Sequence, residues 1–395
     1  MTSGPSDSGA PAGGGNARTW WIVGGVIAAI AIIVGIVALT GGDDTTTTTT
    51  EATTTTAAEA TTTAGEETTT TEGETTTTEP VSGADVLVGL AYDIGGRGDL
   101  SFNDSAAAGL DQAVADFGIQ AQELEPDEGG ENRQENLQLL SEQGANLIFA
   151  IGFAFADGVT AVAPNFPDSS YGIVDSVVDL PNVASLVFAE EQGSALVGCI
   201  AALTSETGQL GFIGGVEIDL IKKFEAGFIF GAQQCDPDVQ VSSRYLTQFP
   251  DFSGFGDPAK GREAAAALYD GGADVVYHAA GGSGNGLFQE AAARKAGNPN
   301  IWAIGVDSDQ YLAVGEDLQG VILTSMLKRV NVSVYETIKT YLETGSVGGV
   351  QVFDLARDGV GYSTSGDFIA ADVIAAAEEL KAAIIAGDVT VPTAP

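Results

Sequence analysis

From Ala84 onward the chain repeats one texture: a short β-branched run, a loop rich in glycine and polar residues, then a helical pattern. VLVGLAYD leads to a helix over Ser105–Phe117, and a helix over Asn132–Gln143 precedes NLIFAIG. YGIVDS and ASLVFAE follow, then a helix near Gln192–Leu203. LGFIGG precedes a helix near Ile221–Gln234, VQVSSRYL one at Pro258–Tyr269, and ADVVYHAA one near Gly286–Ala296. IWAIGVD and GVILTSML come next, with helices expected over Asn331–Glu343 and Ala371–Ala386. Strands alternating with helices of this length imply βαβ units and mainly parallel sheets. About 310 residues exceed one comfortable core, so two α/β domains with a cleft between them are expected.

The loops after the strands collect glycine and polar residues at Asp93–Asp104, Gly152–Asp157, Asp175–Ser176, Gly214–Asp219, Gly281–Gly286 and Asp307–Gln310. In open α/β sheets ligands bind at the carboxyl ends of the strands, so these loops should face one cleft. Phe102 is an apolar ring inside the most glycine-rich of them. It either plugs the core or stacks on a ligand.

The N-terminal part is different in kind. Residues 1–19 are rich in Gly, Ser, Pro and Ala and are expected to be disordered. Trp20–Leu39 holds no charge, and its twenty residues span about 30 Å as a helix, the thickness of a bilayer core. Residues 20–40 are therefore read as an uncleaved transmembrane anchor. Arg18 before it and Asp43 and Asp44 after it place the remainder outside. A cleavable signal peptide is the rival reading, disfavoured by the length of the apolar segment. Residues 41–83, mostly Thr, Glu and Ala, have too little apolar surface to fold and read as a stalk.

A net charge of −39 excludes nucleic-acid polymers as partners. One histidine and two cysteines leave almost no material for Cys/His zinc sites or His-based triads. GGSGNG at 281–286 lacks both the GK[ST] ending and the full spacing of a phosphate loop. His278 follows an apolar run and reads as a core or strand-end residue, and the RGD tripeptide at 97–99 carries little weight.

GGRGDLSFND, LIFAIGFAFAD, IVD, LGFIGGVEIDLIKKFEAGF, HAAGGSGNG, IGVDSDQ and LTSMLKRV occur in this order between Ala84 and Ile369. Together they resemble the basic membrane protein family (Bmp, including purine nucleoside receptor A) of ABC transporter substrate-binding proteins. The resemblance implies a type I periplasmic-binding-protein fold: two doubly wound α/β domains around a ligand cleft, here behind a transmembrane helix and a disordered stalk. Lobe 1 is expected at about 84–188 plus 322–345, and lobe 2 at about 189–321 plus part of the C-terminus. The family is not enzymatic and uses no cofactor. The implied partners are a nucleoside, expected to be a purine nucleoside, and the permease of an ABC importer, with the binding region monomeric and extracytoplasmic at the cell membrane. Family members in single-membrane bacteria are typically lipoproteins, and the span and stalk of this chain depart from that.

The resemblance also implies site residues. Phe102 of the SFN motif (Ser101–Asn103) would stack on the base, with Asn103 and Asp93 facing the base edge. Asp175 is the IVD aspartate, Gly281 and Gly282 form the glycine loop, and Asp307 and Lys328 would engage the ribose hydroxyls. Phe228, Phe153 and Phe255 are all candidates for the second stacking ring, whereas Phe224 reads as core. The chemistry agrees, because carboxylates accept paired hydrogen bonds from vicinal hydroxyls and rings stack on flat bases. An acidic cleft repels phosphates, which favours nucleosides over nucleotides. Free sugars are the alternative ligand. A nucleoside hydrolase would need an aspartate cluster such as DxDxxxDD, which DIGGRGD does not supply. Cys199 and Cys235 each fall near the far end of a predicted helix in one domain, on the oxidising side of the membrane. A structural disulfide is expected, with two reduced core thiols as the alternative.

Overall fold

Two six-stranded sheets, each covered by helices, make up the part of the chain that the computed structural model describes, residues 82–395. In the first lobe β1 (Leu87–Ala91), β2 (Gln120–Leu124), β3 (Leu147–Ala150), β4 (Ser170–Val174), β5 (Val183–Phe188) and β11 (Gly349–Phe353) lie in the order β11-β5-β4-β3-β1-β2. All five pairings are parallel. The second lobe repeats the plan with β6 (Gln209–Glu217), β7 (Gln240–Gln248), β8 (Val275–Ala279), β9 (Trp302–Asp307), β10 (Ile322–Lys328) and β12 (Val360–Tyr362). Their order is β12-β10-β9-β8-β6-β7, antiparallel only at β12. Strands such as LIFA and VVYHA are buried throughout, as a parallel sheet with two covered faces requires.

The long helices lie close to where the periodicity put them, whereas Ala156–Val162, Gln310–Ala313 and Glu316–Gln319 carry no such expectation. In chain order the helices are α1 (Phe102–Phe117), α2 (Arg133–Glu142), α3 (Ala156–Val162), α4 (Glu190–Thr204), α5 (Asp219–Cys235), α6 (Pro258–Asp270), α7 (Asn285–Lys295), the short α8 (Gln310–Ala313) and α9 (Glu316–Gln319), α10 (Val330–Thr344) and α11 (Ala371–Ala386). One lobe boundary is corrected. Residues 322–328 belong to lobe 2, because β10 pairs with β9 and β12. Lobe 1 instead regains α10, which packs on α1, and β11, which pairs with β5. The chain thus crosses between lobes three times, after β5, β10 and β11.

In lobe 2, α4 and α5 pack at backbone contact. A side chain at Gly231 would place its Cβ 1.8 Å from the Ala195 carbonyl oxygen, so only glycine allows this approach. Cys199 on α4 and Cys235 at the end of α5 form a disulfide with Cα atoms 5.2 Å apart, as expected. It closes a loop of sequence separation 36. Replacing both cysteines with serine should cost about 3–4 kcal/mol through the freedom returned to the unfolded chain. Urea unfolding monitored by circular dichroism checks this, and an unchanged midpoint would show that helix packing alone holds the pair.

Among the described residues no helix is long and apolar enough to cross a membrane. The expected anchor at 20–40, the N-terminal 1–19 and nearly all of the 41–83 stalk lie outside the described residues.

Candidate functional site: an acidic, aromatic cleft

The strand order reverses between β1 and β3 in one lobe and between β6 and β8 in the other. Loops leaving the sheet at such a reversal diverge and open a crevice. The two crevices face each other. They enclose about 610 Å³, open mouth included, within the roughly 300–1,000 Å³ of small-molecule sites.

Lobe 1 supplies the Asp93–Asn103 segment, Gly152, Phe153 and Asp175. Asp93 stands at the end of β1, and its carboxylate accepts from Arg133 Nε at 2.9 Å, from Arg133 Nη2 and from Ile94 N at 2.8 Å. Gly152 has φ +122°, and a Cβ there would lie 2.8 Å from Asp93 Oδ2, so the loop after β3 must be glycine to admit the carboxylate. Burial pushes the Asp93 carboxyl above its ordinary value, opposed by the Arg133 guanidinium. That guanidinium lies over the rings of Phe155 (5.9 Å) and Phe252 (5.4 Å). Asn103 directs its Oδ1 to the Asp93 amide at 3.1 Å and its Nδ2 to Asp99 at 3.1 Å. Asp99 caps α1, accepting from the amides of Ser101, Asn103 and Asp104.

Lobe 2 faces this wall with Asp307, Lys328, Gly281, Phe255 and the start of α5. Asp307 ends β9 in a left-handed conformation (φ 64°), and its Oδ2 accepts from Ser101 Oγ of lobe 1 at 2.6 Å. Lys328 ends β10 and is 1% exposed. Its Nζ donates to Asp175 Oδ2 of lobe 1 at 2.6 Å and lies 3.3 Å from Glu190 Oε1. Burial pushes Asp175 up to about 6 and Asp307 up to about 7; Lys328 opposes both shifts, while Glu190 beside the first and Asp99 and Asp175 beside the second add to them. Burial works against the Lys328 ammonium, but Asp175, Glu190 and Asp307 outweigh it and hold the lysine above its ordinary value. The same Nζ sits over the rings of Phe188 (5.0 Å), Phe102 (5.2 Å) and Phe224 (5.5 Å).

Asp93, Phe102, Asn103, Phe153, Asp175, Gly281, Asp307 and Lys328 all line the cleft, as does Phe255. Two expected residues do not. Phe228 is fully buried against Tyr277 (5.1 Å) and Phe212 (6.4 Å). It lies one helical turn farther from the cleft than Phe224, on the same face of α5, and that turn carries its ring into the core. Gly282 is buried behind the cleft surface, beside the Phe255 carbonyl and Asp99. Phe224, read as core from its spacing, lines the cleft with Leu220 and Ile221. Arg133 and Asp99 belong to the site without a local sequence signal: the first opens a helix like any surface arginine, and the second sits inside the RGD tripeptide. His278 is a core residue as expected, bonded to Gln310 at 3.0 Å and pushed down to about 4 by burial.

The family described as "ABC transporter substrate-binding protein PnrA-like" (Bmp) matches residues 86–394. A protein of Listeria monocytogenes named CD4+ T-cell-stimulating antigen is 37% identical over 334 residues, covering 80% of this chain and 90% of that protein. The ABC transporter nucleoside-binding protein BmpA of Lactococcus lactis is 34% identical over 322 residues, covering 78% and 90%. Among solved structures, a solute-binding protein of an ABC transporter system from Aeropyrum pernix superposes with a TM-score of 0.68 at 28% identity, covering 78% of this chain and 93% of that one. The chain belongs to the Bmp family of PnrA-like ABC transporter substrate-binding proteins.

Proposed function

We propose that this protein captures a nucleoside, in the first instance a purine nucleoside, between its lobes and delivers it to an ABC importer. In this reading the arrangement is of the type I periplasmic-binding-protein kind. The described region stands outside the membrane as a monomer on the 41–83 stalk, held by the segment 20–40.

The observation that carries the reading is that Phe102 from lobe 1 and Phe224 from lobe 2 line one cleft together with four aspartates. Both rings lie within 5.5 Å of Lys328 Nζ, so one ligand can touch both. A base held between two rings gains roughly 1–3 kcal/mol from each. Asp93 and Asn103 then meet the base edge. Asp307, beside Lys328, accepts from ribose hydroxyls. Asp93, Asp99, Asp175 and Asp307 outnumber Lys328 and Arg133, both already engaged by carboxylates, so a phosphate is disfavoured. The identity to a relative named as nucleoside-binding supports the same choice.

A thermal-shift screen of residues 84–395 against nucleosides, nucleobases, pentoses and nucleotides tests the ligand class, since a ligand of the folded state raises the melting temperature. Nucleosides should shift it and nucleotides should not. A shift with pentoses alone would replace the nucleoside by a sugar. Phe102→Ala and Phe224→Ala should each weaken nucleoside binding roughly 5- to 150-fold by calorimetry. Phe228→Ala should act on folding instead, lowering the melting temperature of the ligand-free protein.

A further inference from the structure

The segment Gly98–Ser101 leaves lobe 1 and is gripped by lobe 2. Three successive carbonyls are each taken by a different side chain. Asn285 Nδ2 donates to Asp99 O at 3.3 Å, Gln310 Nε2 to Leu100 O at 3.0 Å, and Ser308 Oγ to Ser101 O at 3.0 Å. The Leu100 side chain packs against the lobe 2 cluster that contains Ile213, Val276 and Phe288.

The segment is built to present those carbonyls. Its own carboxylates take up its amides: Asp104 accepts from Gly98 N and Leu100 N, and Asp99 from Ser101 N and Asn103 N. Donors are therefore spent inside the loop and acceptors face outward. Leu100 holds φ +59°, a region that strains a non-glycine residue and persists only where the surroundings enforce it. Lobe 2 is equally prepared. Gln310 is fully buried, and its Oε1 is fixed by Val306 N at 2.9 Å and His278 Nε2 at 3.0 Å, which aims the amide group at lobe 1. The chain then runs directly from the gripped carbonyls into Phe102 and Asn103.

We propose that Asn285, Ser308 and Gln310 are positioning residues that seat the 99–101 backbone of lobe 1 on lobe 2. Forming the grip and placing Phe102 and Asn103 against the ligand are then a single event. The three residues act through the backbone. Their effect is on closure and on the lifetime of the complex. This rests on the cleft being the ligand site.

The test uses the Asn285→Ala/Ser308→Ala double variant, which leaves the Gln310 core intact. Guanosine binding is followed by stopped-flow fluorescence, closure by small-angle X-ray scattering with and without guanosine, and folding by the melting temperature of the ligand-free protein. The expected result is guanosine dissociation about tenfold faster, a larger radius of gyration than wild type, and an unchanged melting temperature. Ser308→Thr, which keeps the hydroxyl, should restore wild-type dissociation to the Ser308→Ala variant. Equal dissociation rates and equal radii in wild type and double variant overturn the proposal. A wild type that binds no guanosine overturns guanosine as the ligand, and the scattering comparison without ligand then still decides the grip.

Discussion

Replacing Lys328 with methionine is expected to destabilise the protein by about 3–5 kcal/mol near pH 8 and to abolish ligand binding. The side chain is 2% exposed and is paired with Asp175, 5% exposed; it also lies 3.3 Å from one oxygen of Glu190, 1% exposed, whose other oxygen Lys223 reaches at 3.2 Å. Methionine fills similar volume, so the effect is one of charge. Asp175 loses its partner, Glu190 keeps only Lys223, and Asp307 loses its nearby compensation. Protons relieve this at lower pH, because Asp175 and Asp307 already titrate at about 6 and 7. The loss measured by urea unfolding should therefore shrink between pH 8 and pH 5. An equal loss at both values would show that packing, and not the ion pair, is what Lys328 supplies. Adding Asp175→Asn should recover part of the stability and none of the binding.

Asp307→Asn should move stability and function in opposite directions. The ordinary carboxyl value is 3.8, and burial lifts Asp307 to about 7. Between those values the folded protein holds a proton that the unfolded chain has released. The stabilising contribution is therefore complete below the unfolded value and is lost as pH rises through the folded one. At 1.36 kcal/mol per unit the loss reaches up to ~4 kcal/mol by pH 8. Asp175 adds a loss of the same sign, ending near 6. Asparagine keeps an acceptor for Ser101 Oγ and removes the titration. The ligand-free variant should melt higher than wild type at pH 8 and show a flatter pH profile. Nucleoside affinity should fall roughly 10- to 150-fold, the value of hydrogen bonds to a charged acceptor. Calorimetry across pH 5–8 reads both, and an unchanged pH profile would show that Asp307 stays ionised throughout.

Most strands and the limits of the long helices were legible because period and length are local properties of the sequence; β2 was not, since QAQEL is polar and lies half exposed at a sheet edge. The start of α1 was not: the pattern begins it at Ser105, whereas Asp99 caps it at Phe102 by reaching over three residues. That shift puts Phe102 on the first helical turn, where its ring enters the cleft. Phe224 and Phe228 are four apart on one helical face, and spacing alone does not tell which turn meets the cleft and which the core. The exchange of β10 and β11 between lobes was hidden for a different reason. Pairing partners such as Val183–Phe188 and Gly349–Phe353 lie far apart in sequence, and a strand's composition does not name its neighbour.

The three crossings also bear on biosynthesis. Lobe 1 leaves the ribosome with β5 as a bare sheet edge, and the strand that covers it, β11, follows about 160 residues later. At 5–20 residues per second that edge stays unpaired for roughly 10–30 s. An uncovered edge of a parallel sheet is a template for pairing with other chains. Nascent lobe 1 thus exposes a pairing-competent edge until β11 emerges to cover it.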